Sequence, residues 1–331
     1  MRNITLEELL EAGCHFGHQV TRSNPKARDF IFEAREGVHI IDLGKTKEGL
    51  EEAGRFVKST ASKEGTVMVV VGTKRQAKGI IEEEAKKAKE ALRQAQGKIG
   101  SPETDGLFFV TNRWIGGLLT NFSEVSKNFK KLIDLTAKIQ SPEEREKFTK
   151  KEVGGWEKER QKLEVLYGGV FKIQRTPDLL FIVDSHLEDL AVKESQMMGV
   201  STVAIVDTNA DPKDVDYPIP ANDDAVGSIE LIVGYIMEAW VEGRKSVRQA
   251  QDKSVKEVKE EPEKSLKSEK PKEKKTEEKQ KVSKPKVTKT KKTKPASAPA
   301  VAKALAGKKA AVDKEVKKDV KSKSETAKKT S

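Results

Sequence analysis

Apolar residues follow two alternating periods along roughly the first 245 positions, and that alternation carries most of what the sequence says about the fold. Short apolar runs at 66–71, 107–110, 179–184 (LLFIVD) and 202–207 (TVAIVD) have the length and β-branched content of buried strands. Between them the spacing turns helical. Leu50, Ala53, Phe56 and Val57 mark a helix over 45–62, and a second runs from the Gly72-Thr73 turn to about residue 95. A third spans about 187–198. A fourth, capped by Asn222-Asp223-Asp224, is predicted to end near residue 242. Residues 217–219, between Asp216 and Pro220, read as a short edge strand. Strands alternating with helices predict an α/β domain with a doubly wound parallel sheet, flavodoxin- or Rossmann-like.

One stretch breaks this rhythm. Phe122, Val125, Phe129, Leu132, Leu135 and Ile139 form a stripe at spacings of three and four among charged residues. Ser141-Pro142 interrupts it, and Ser141 with Glu144 is predicted to cap the next helix. Trp156 and Leu163 continue an apolar stripe on the return. The expected element is an inserted coiled-coil hairpin over 121–168, bent or broken at Gly154-Gly155. The α/β domain then comprises 1–120 and 169–245, with a polar connection over 92–106 containing Gly97, Gly100 and Pro102. Residues 246–331 are expected to be a disordered lysine-rich tail, because their composition buries too little apolar surface to offset chain entropy.

Residues 9–46 resist a simple helix or strand reading. The end of a short helix, with a Thr5/Glu8 capping box, leads into a His-Phe-Gly-His turn bracketed by Gly13 and Gly17. A basic loop follows, with Arg22, Asn24, Pro25, Lys26 and Arg28, and then two apolar runs around Glu33–Gly37 that read as a β-hairpin. A basic loop stiffened by proline beside glycines suits a phosphate-rich partner.

Charge sharpens this picture. The chain carries a formal charge of +11, yet residues 251–331 hold 27 Lys, no Arg and 13 acids. The first 250 residues hold 37 basic and 40 acidic side chains, so a nucleic-acid-binding body must segregate its cations on one face. Acid-free 281–294 suits salt-sensitive association with phosphate backbones. A single cysteine, Cys14, allows no internal disulfide and suits a reducing compartment. No run approaches the ~18 apolar residues of a membrane span, and the acidic N-terminus is unlike a targeting peptide. The expectation is a cytoplasmic protein.

Three chemistries compete. As a phosphate-ligand enzyme, the chain would use Asp184 and Asp207 at the carboxyl ends of strands, with Val71–Arg75 as an anion turn. No phosphate-loop or dinucleotide fingerprint and no nucleophile elbow accompanies them. As a metal protein, it would place His18 with Asp184 and Asp207 on a structural or partner-bridging zinc. As an RNA-binding protein, it offers Arg22, Asn24, Lys26 and Arg28 in the basic loop. It adds Lys74 and Arg75 at the turn, and Asn112, Arg113 and Trp114 beside Gly116-Gly117. Lys127, Lys130 and Lys131 on the helical hairpin complete the set. No catalytic residue is assigned.

The opening motif, with VGTKRQA at 71–77, TNRWIGGLLTNF at 111–122, FTKKE at 148–152, PDLLFIVD at 177–184, AVKES at 191–195 and VAIVDTNADPKDVDYPIPANDDA at 203–225, resembles the bacterial-type ribosomal protein S-two family. The likeness spans residues 1 to about 245. It implies a non-catalytic, ribosome-bound protein at the periphery of the small subunit, in contact with ribosomal RNA and neighbouring proteins. It also implies a part in anchoring ribosomal protein S-one, and no free homo-oligomer. Four departures stand out: Cys14 at a small apolar position, the long 92–106 connection, Gly154-Gly155 in a helix, and Ala221 where the family usually has glycine. A positive φ at Ala221 would cost about 1 kcal/mol.

Overall fold

The central sheet is built from five strands: β4 (Met68–Val71), β5 (Leu107–Val110), β6 (Leu179–Val183), β7 (Ser201–Val206) and β8 (Tyr217–Pro220). All pair in parallel, in the order β5-β4-β6-β7-β8. The first and third strands of the series therefore lie side by side, and the direction of winding reverses between them, as in flavodoxin-type sheets. The computed structural model describes residues 2–96 and 106–260, within the first of the chain's two units, Met1–Ser268. The predicted connection over 97–105 and the tail from 261 lie outside the described residues.

Every residue of β4 and β6 is buried, which is why both read as unbroken apolar runs rather than alternating ones. Alternation decides which layer each side chain enters. Val70, Phe181 and Ile205 face one layer, formed by α1 (Leu6–Glu11), α2 (Leu43–Ala61), α3 (Arg75–Gln96) and α8 (Val226–Glu260). Val69, Val71, Leu180, Ile182 and Val206 face the other, with Trp114, Leu118 and Leu119 of the turn after β5 and Ala191 and Val192 of α7 (Asp189–Met198). Pro218 and Pro220 fall in β8, where the edge position tolerates the missing donors.

The return connection from β5 carries α4 (Phe122–Gln140), a short α5 (Pro142–Glu146) and α6 (Lys150–Tyr167). α4 and α6 lie against each other. Phe129 meets Tyr167 edge-to-face at 5.5 Å, and the Asn128 amide donates to the Tyr167 hydroxyl at 3.1 Å. A capping box of Thr149 and Glu152 starts α6, while the one expected of Ser141 with Glu144 falls on a side chain outside the described residues. Ser141 closes α4 by donating its backbone N–H to Ala137. The expected break at Gly154-Gly155 does not occur. α6 is continuous there, since two glycines cost a helix only about 1 kcal/mol each.

The first sheet is the smaller one. β1 (Phe16–Gln19), β2 (Ile31–Arg35) and β3 (Val38–Ile41) form an antiparallel sheet ordered β1-β3-β2. The predicted hairpin is β2–β3, closed by Glu36 (φ 53°) and Gly37 (φ 81°), two positive-φ residues suited to a two-residue turn. The His-Phe-Gly-His segment, read as a turn, is the third strand of this sheet. At the other end of the domain, α8 outruns its expected stop near 242 by about five turns. Its continuation, GRKSVRQAQDKSVKEVKE, is polar, but its Lys, Arg, Gln, Glu and Ala are helix formers, and the first proline is Pro262. Residues 246–260 therefore belong to a helix, not to the tail. Ala221 avoids positive φ, so the departure from glycine costs no strain there.

Trp240 of α8 is fully buried against the first layer. Trp240→Ala is expected to destabilise the domain by about 3–5 kcal/mol, measured as a shift of the urea midpoint at unchanged m-value.

Candidate functional site

In a sheet wound this way, ligands bind outside the carboxyl ends of the strands where the winding reverses, here β4 and β6. That position is filled from within. Lys74, just after β4, extends its ammonium to Asp184 after β6 (2.9 Å) and to Asp223 (2.6 Å) and Asp224 (2.7 Å) before α8. Asp184 has φ 69°, a left-handed conformation that aspartate tolerates better than most residues. Its other oxygen accepts from the backbone N–H groups of His186 and Leu187. Thr73 donates to Glu188 at 2.5 Å, which closes the same corner.

The adjoining strand end is sealed by the N-terminal segment. His18 Nδ1 lies 3.0 Å from Asp207, whose second oxygen accepts from the backbone and hydroxyl of Thr208. Gly17 makes this approach possible, because a Cβ there would lie 2.7 Å from the Thr208 methyl. The His18 N–H then donates to the Thr208 hydroxyl, and the Asn24 N–H to the Thr208 carbonyl. Asn222 donates to the carbonyls of Gly13 and Cys14. The motif that opens the chain is thus a clasp across β7 and the start of α8.

Electrostatics in the cluster follow from crowding. Burial and the neighbouring charges of Asp184 and Asp207 push the Asp223 carboxyl up to about 7 against the pull of Lys74. Burial lowers the Lys74 ammonium, but the carboxylates of Asp223, Asp224 and Asp184 outweigh it and the net shift is upward. The hydrogen bond to Asp207 raises His18 against its desolvation. Both Asp184 and Asp207 are therefore committed to internal partners, and the enzyme reading loses its two carboxylates. The predicted metal set changes as well. Ligand atoms of His18, Asp207 and Asp223 lie within 4.8 Å of one another, whereas Asp184 belongs to Lys74 and the turn after β6. Asp223 Oδ2 is buried without a hydrogen-bond partner.

A second buried carboxylate organises the turn after β5. Glu194 of α7 accepts from the backbone N–H groups of Gly117 (2.8 Å), Leu119 (3.2 Å) and Thr120 (3.4 Å), from the Thr120 hydroxyl, and from the Trp114 indole (3.2 Å). Trp114 is 6% exposed. It is a core residue with its one donor satisfied, so it is unavailable to stack on a base. Glu194 escaped the sequence reading because a glutamate in a helix normally faces water.

The remaining predicted RNA contacts divide in two. Lys74 is half-buried among carboxylates, Lys26 is paired with Asp211, and the Asn24 side chain caps the Lys26 N–H. Asn112 is exposed but bridges the Val165 carbonyl and Lys78. Lys127 pairs with Glu124, and Lys131 with Glu159 across the helix pair. Arg22, Arg28, Arg75 and Arg113 are exposed, as is Lys130 on α4. The four arginines belong to segments held at the carboxyl ends of β7, β4 and β5. They form a basic rim around an acidic, closed centre.

Two outcomes test this arrangement. For Asp223 the folded pKa exceeds the unfolded one, so the native state binds more protons between about pH 4 and 7 and stability falls as pH rises through that window. His18, also raised, contributes stability below its unfolded pKa of about 6.5 that is lost as pH rises through the folded value. With chelator present, the melting temperature is expected to decline from pH 5.5 to 8, and Asp223→Asn to flatten the decline. Glu194→Ala strands several buried donors and is expected to cost more than about 3 kcal/mol in denaturant unfolding, whereas exposed Arg113→Ala changes stability little.

Comparison with known proteins identifies the relatives of this chain. Residues 9–243 match the family model described as ribosomal protein S2. A small ribosomal subunit protein uS2 of Koribacter versatilis is 44% identical over 243 residues, 73% of this chain and 74% of that protein. One of Geotalea uraniireducens is 44% identical over the same length, covering 88% of its own. The motifs at 71–77, 111–122, 148–152, 177–184, 191–195 and 203–225 fall within the matched span. The chain belongs to the ribosomal protein S2 family.

Proposed function

We propose that this chain is a structural constituent of the small ribosomal subunit, docked on ribosomal RNA through the arginine rim at the carboxyl edge of its sheet. The observation that carries the docking mode is the split among the edge cations: Lys74 is enclosed by carboxylates and Lys26 is paired with Asp211, while Arg22, Arg28, Arg75 and Arg113 face outward. Exposed guanidinium groups on rigid turns suit phosphate and ribose contacts. The α4–α6 pair, read as a coiled-coil arm, adds a further basic surface at Lys130. Its ion pairs of Lys127 and Lys131 are exposed and cost little to exchange for phosphate. Neighbouring proteins, ribosomal protein S-one among them, would find exposed Leu6, Leu10 and Phe16 near the N-terminus. In this reading the protein works bound to the ribosome in the cytoplasm and not as a free homo-oligomer. Among the described residues no helix is long and apolar enough to cross a membrane.

Sucrose-gradient sedimentation in moderate and then high salt tests the reading. The wild-type chain is expected to travel with small subunits in both. Arg22→Ala with Arg113→Ala should lower the high-salt bound fraction by roughly tenfold, as the loss of two phosphate contacts implies, while deletion of 261–331 leaves most of it in place. A chain that stays at the top of the gradient in both salts would refute the assignment.

The unpartnered Asp223 oxygen favours one addition, a zinc ion on His18, Asp207 and Asp223 that ties the clasp shut. Elemental analysis of protein purified without chelator is expected to give about one zinc per chain. Asp223→Asn should lose it, and zinc-free wild-type protein would dismiss the ion.

A further inference from the structure

Away from the arginine rim, the free side of β5 carries a different basic feature. Lys89 and Arg93 of α3, Phe109 of β5, and Phe171 and Lys172 beyond α6 line a cavity of about 240 Å³. None of its described lining residues is acidic. The Lys89 ammonium lies 5.4 Å from the centre of the Phe109 ring, and that of Lys172 lies 5.6 Å from the Phe171 ring. Both rings are only partly buried, and Arg93 is exposed. The floor is backbone: the Phe109 N–H donates to the Gly169 carbonyl at 3.3 Å. A Cβ on Gly169 would lie 2.0 Å from the Phe109 carbonyl oxygen, so only glycine lets the chain lie flush against the strand edge.

We propose that this cavity receives one unpaired RNA nucleotide, with the base against Phe109 and Phe171 and the phosphate among Lys89, Arg93 and Lys172. The inference rests on the ribosomal reading above and adds to it a second contact that selects single-stranded RNA. Aromatic faces flanked by cations are how proteins hold unstacked bases without a sequence code. A cation–π contact keeps the Lys172 ammonium over the Phe171 ring in the absence of an anion. An arriving phosphate draws it aside and frees that ring face for the base. A duplex offers phosphates but no free base face, and an acidic peptide offers charge but no flat ring to stack.

The full chain is the material for the test. Anisotropy of a labelled uridine decamer is read at a salt concentration that suppresses the lysine-rich tail, with an RNA duplex of equal length as reference and a decaglutamate peptide as competitor. Phe171→Leu with Lys172→Ala is expected to weaken decamer binding about tenfold and leave duplex binding unchanged. Arg93→Glu, exposed on a helix and harmless to the fold, is expected to weaken the decamer as well. Unchanged decamer affinity in both variants overturns the proposal, as does an equal loss for the duplex or competition by the peptide at matched charge. Because the free chain is measured, a negative result leaves gradient co-sedimentation, and with it the ribosomal reading, untouched. Ultraviolet crosslinking in purified small subunits, with and without messenger RNA, then names the source. A nucleotide adduct on the peptide containing Phe171 is expected to be ribosomal. An adduct that appears only with messenger supports the pocket and reassigns its RNA, and its absence in both overturns it.

Discussion

One ammonium group holds the carboxyl edge of this domain. Lys74 lies where a flavodoxin-type sheet changes its direction of winding, and it reaches three carboxylates from two separate segments. A cation buried alone would be costly, and so would three aspartates clustered without one. Together they fix the turn after β4, the turn after β6 and the approach to α8. A crevice that other proteins of this architecture leave open for a ligand is here occupied by the protein's own side chains. The architecture is one that often holds nucleotides, but here its switch-point crevice is taken up by internal ion pairs.

Glu194 does the same for the opposite layer. It gathers three backbone donors, a hydroxyl and an indole from a single turn, in the manner of a protein anion receptor whose anion is its own side chain. The turn after β5 thereby gains a fixed shape without regular secondary structure, and Arg113 on its surface is held to a defined position. In both clusters a buried charge is tolerated because its partners are numerous and come from rigid elements.

The sheet was legible because its strands are buried on both faces and its helices are amphipathic, so both periods stand out in the sequence. The carboxyl-edge partnerships were less so. A lysine after a glycine turn looks the same whether it awaits a phosphate or a carboxylate, and only the arrival of Asp223 and Asp224, about 150 residues later in the chain, decides between them. Trp114 and Glu194 hide each other in the same way. The His-Phe-Gly-His segment was misread because its glycines suggest a turn, whereas Gly17 is there to let a strand press against Thr208. The end of α8 was missed because a polar, lysine-rich composition signals lack of a core, not lack of helix.

The clasp joins the two ends of the sequence that forms the domain. Gly13 and Cys14 accept hydrogen bonds from Asn222, 209 residues apart for the Gly13 contact, and His18 leans on Asp207. During synthesis the opening motif emerges first and finds its partners last. At roughly 5–20 residues per second, the basic loop waits on the order of 10–40 s for the strand that will hold it. The basic loop is therefore framed only when almost the whole domain has left the ribosome that made it. A chain truncated or stalled before β7 carries Arg22 and Arg28 but not the Thr208 and Asp211 partners that fix their loop.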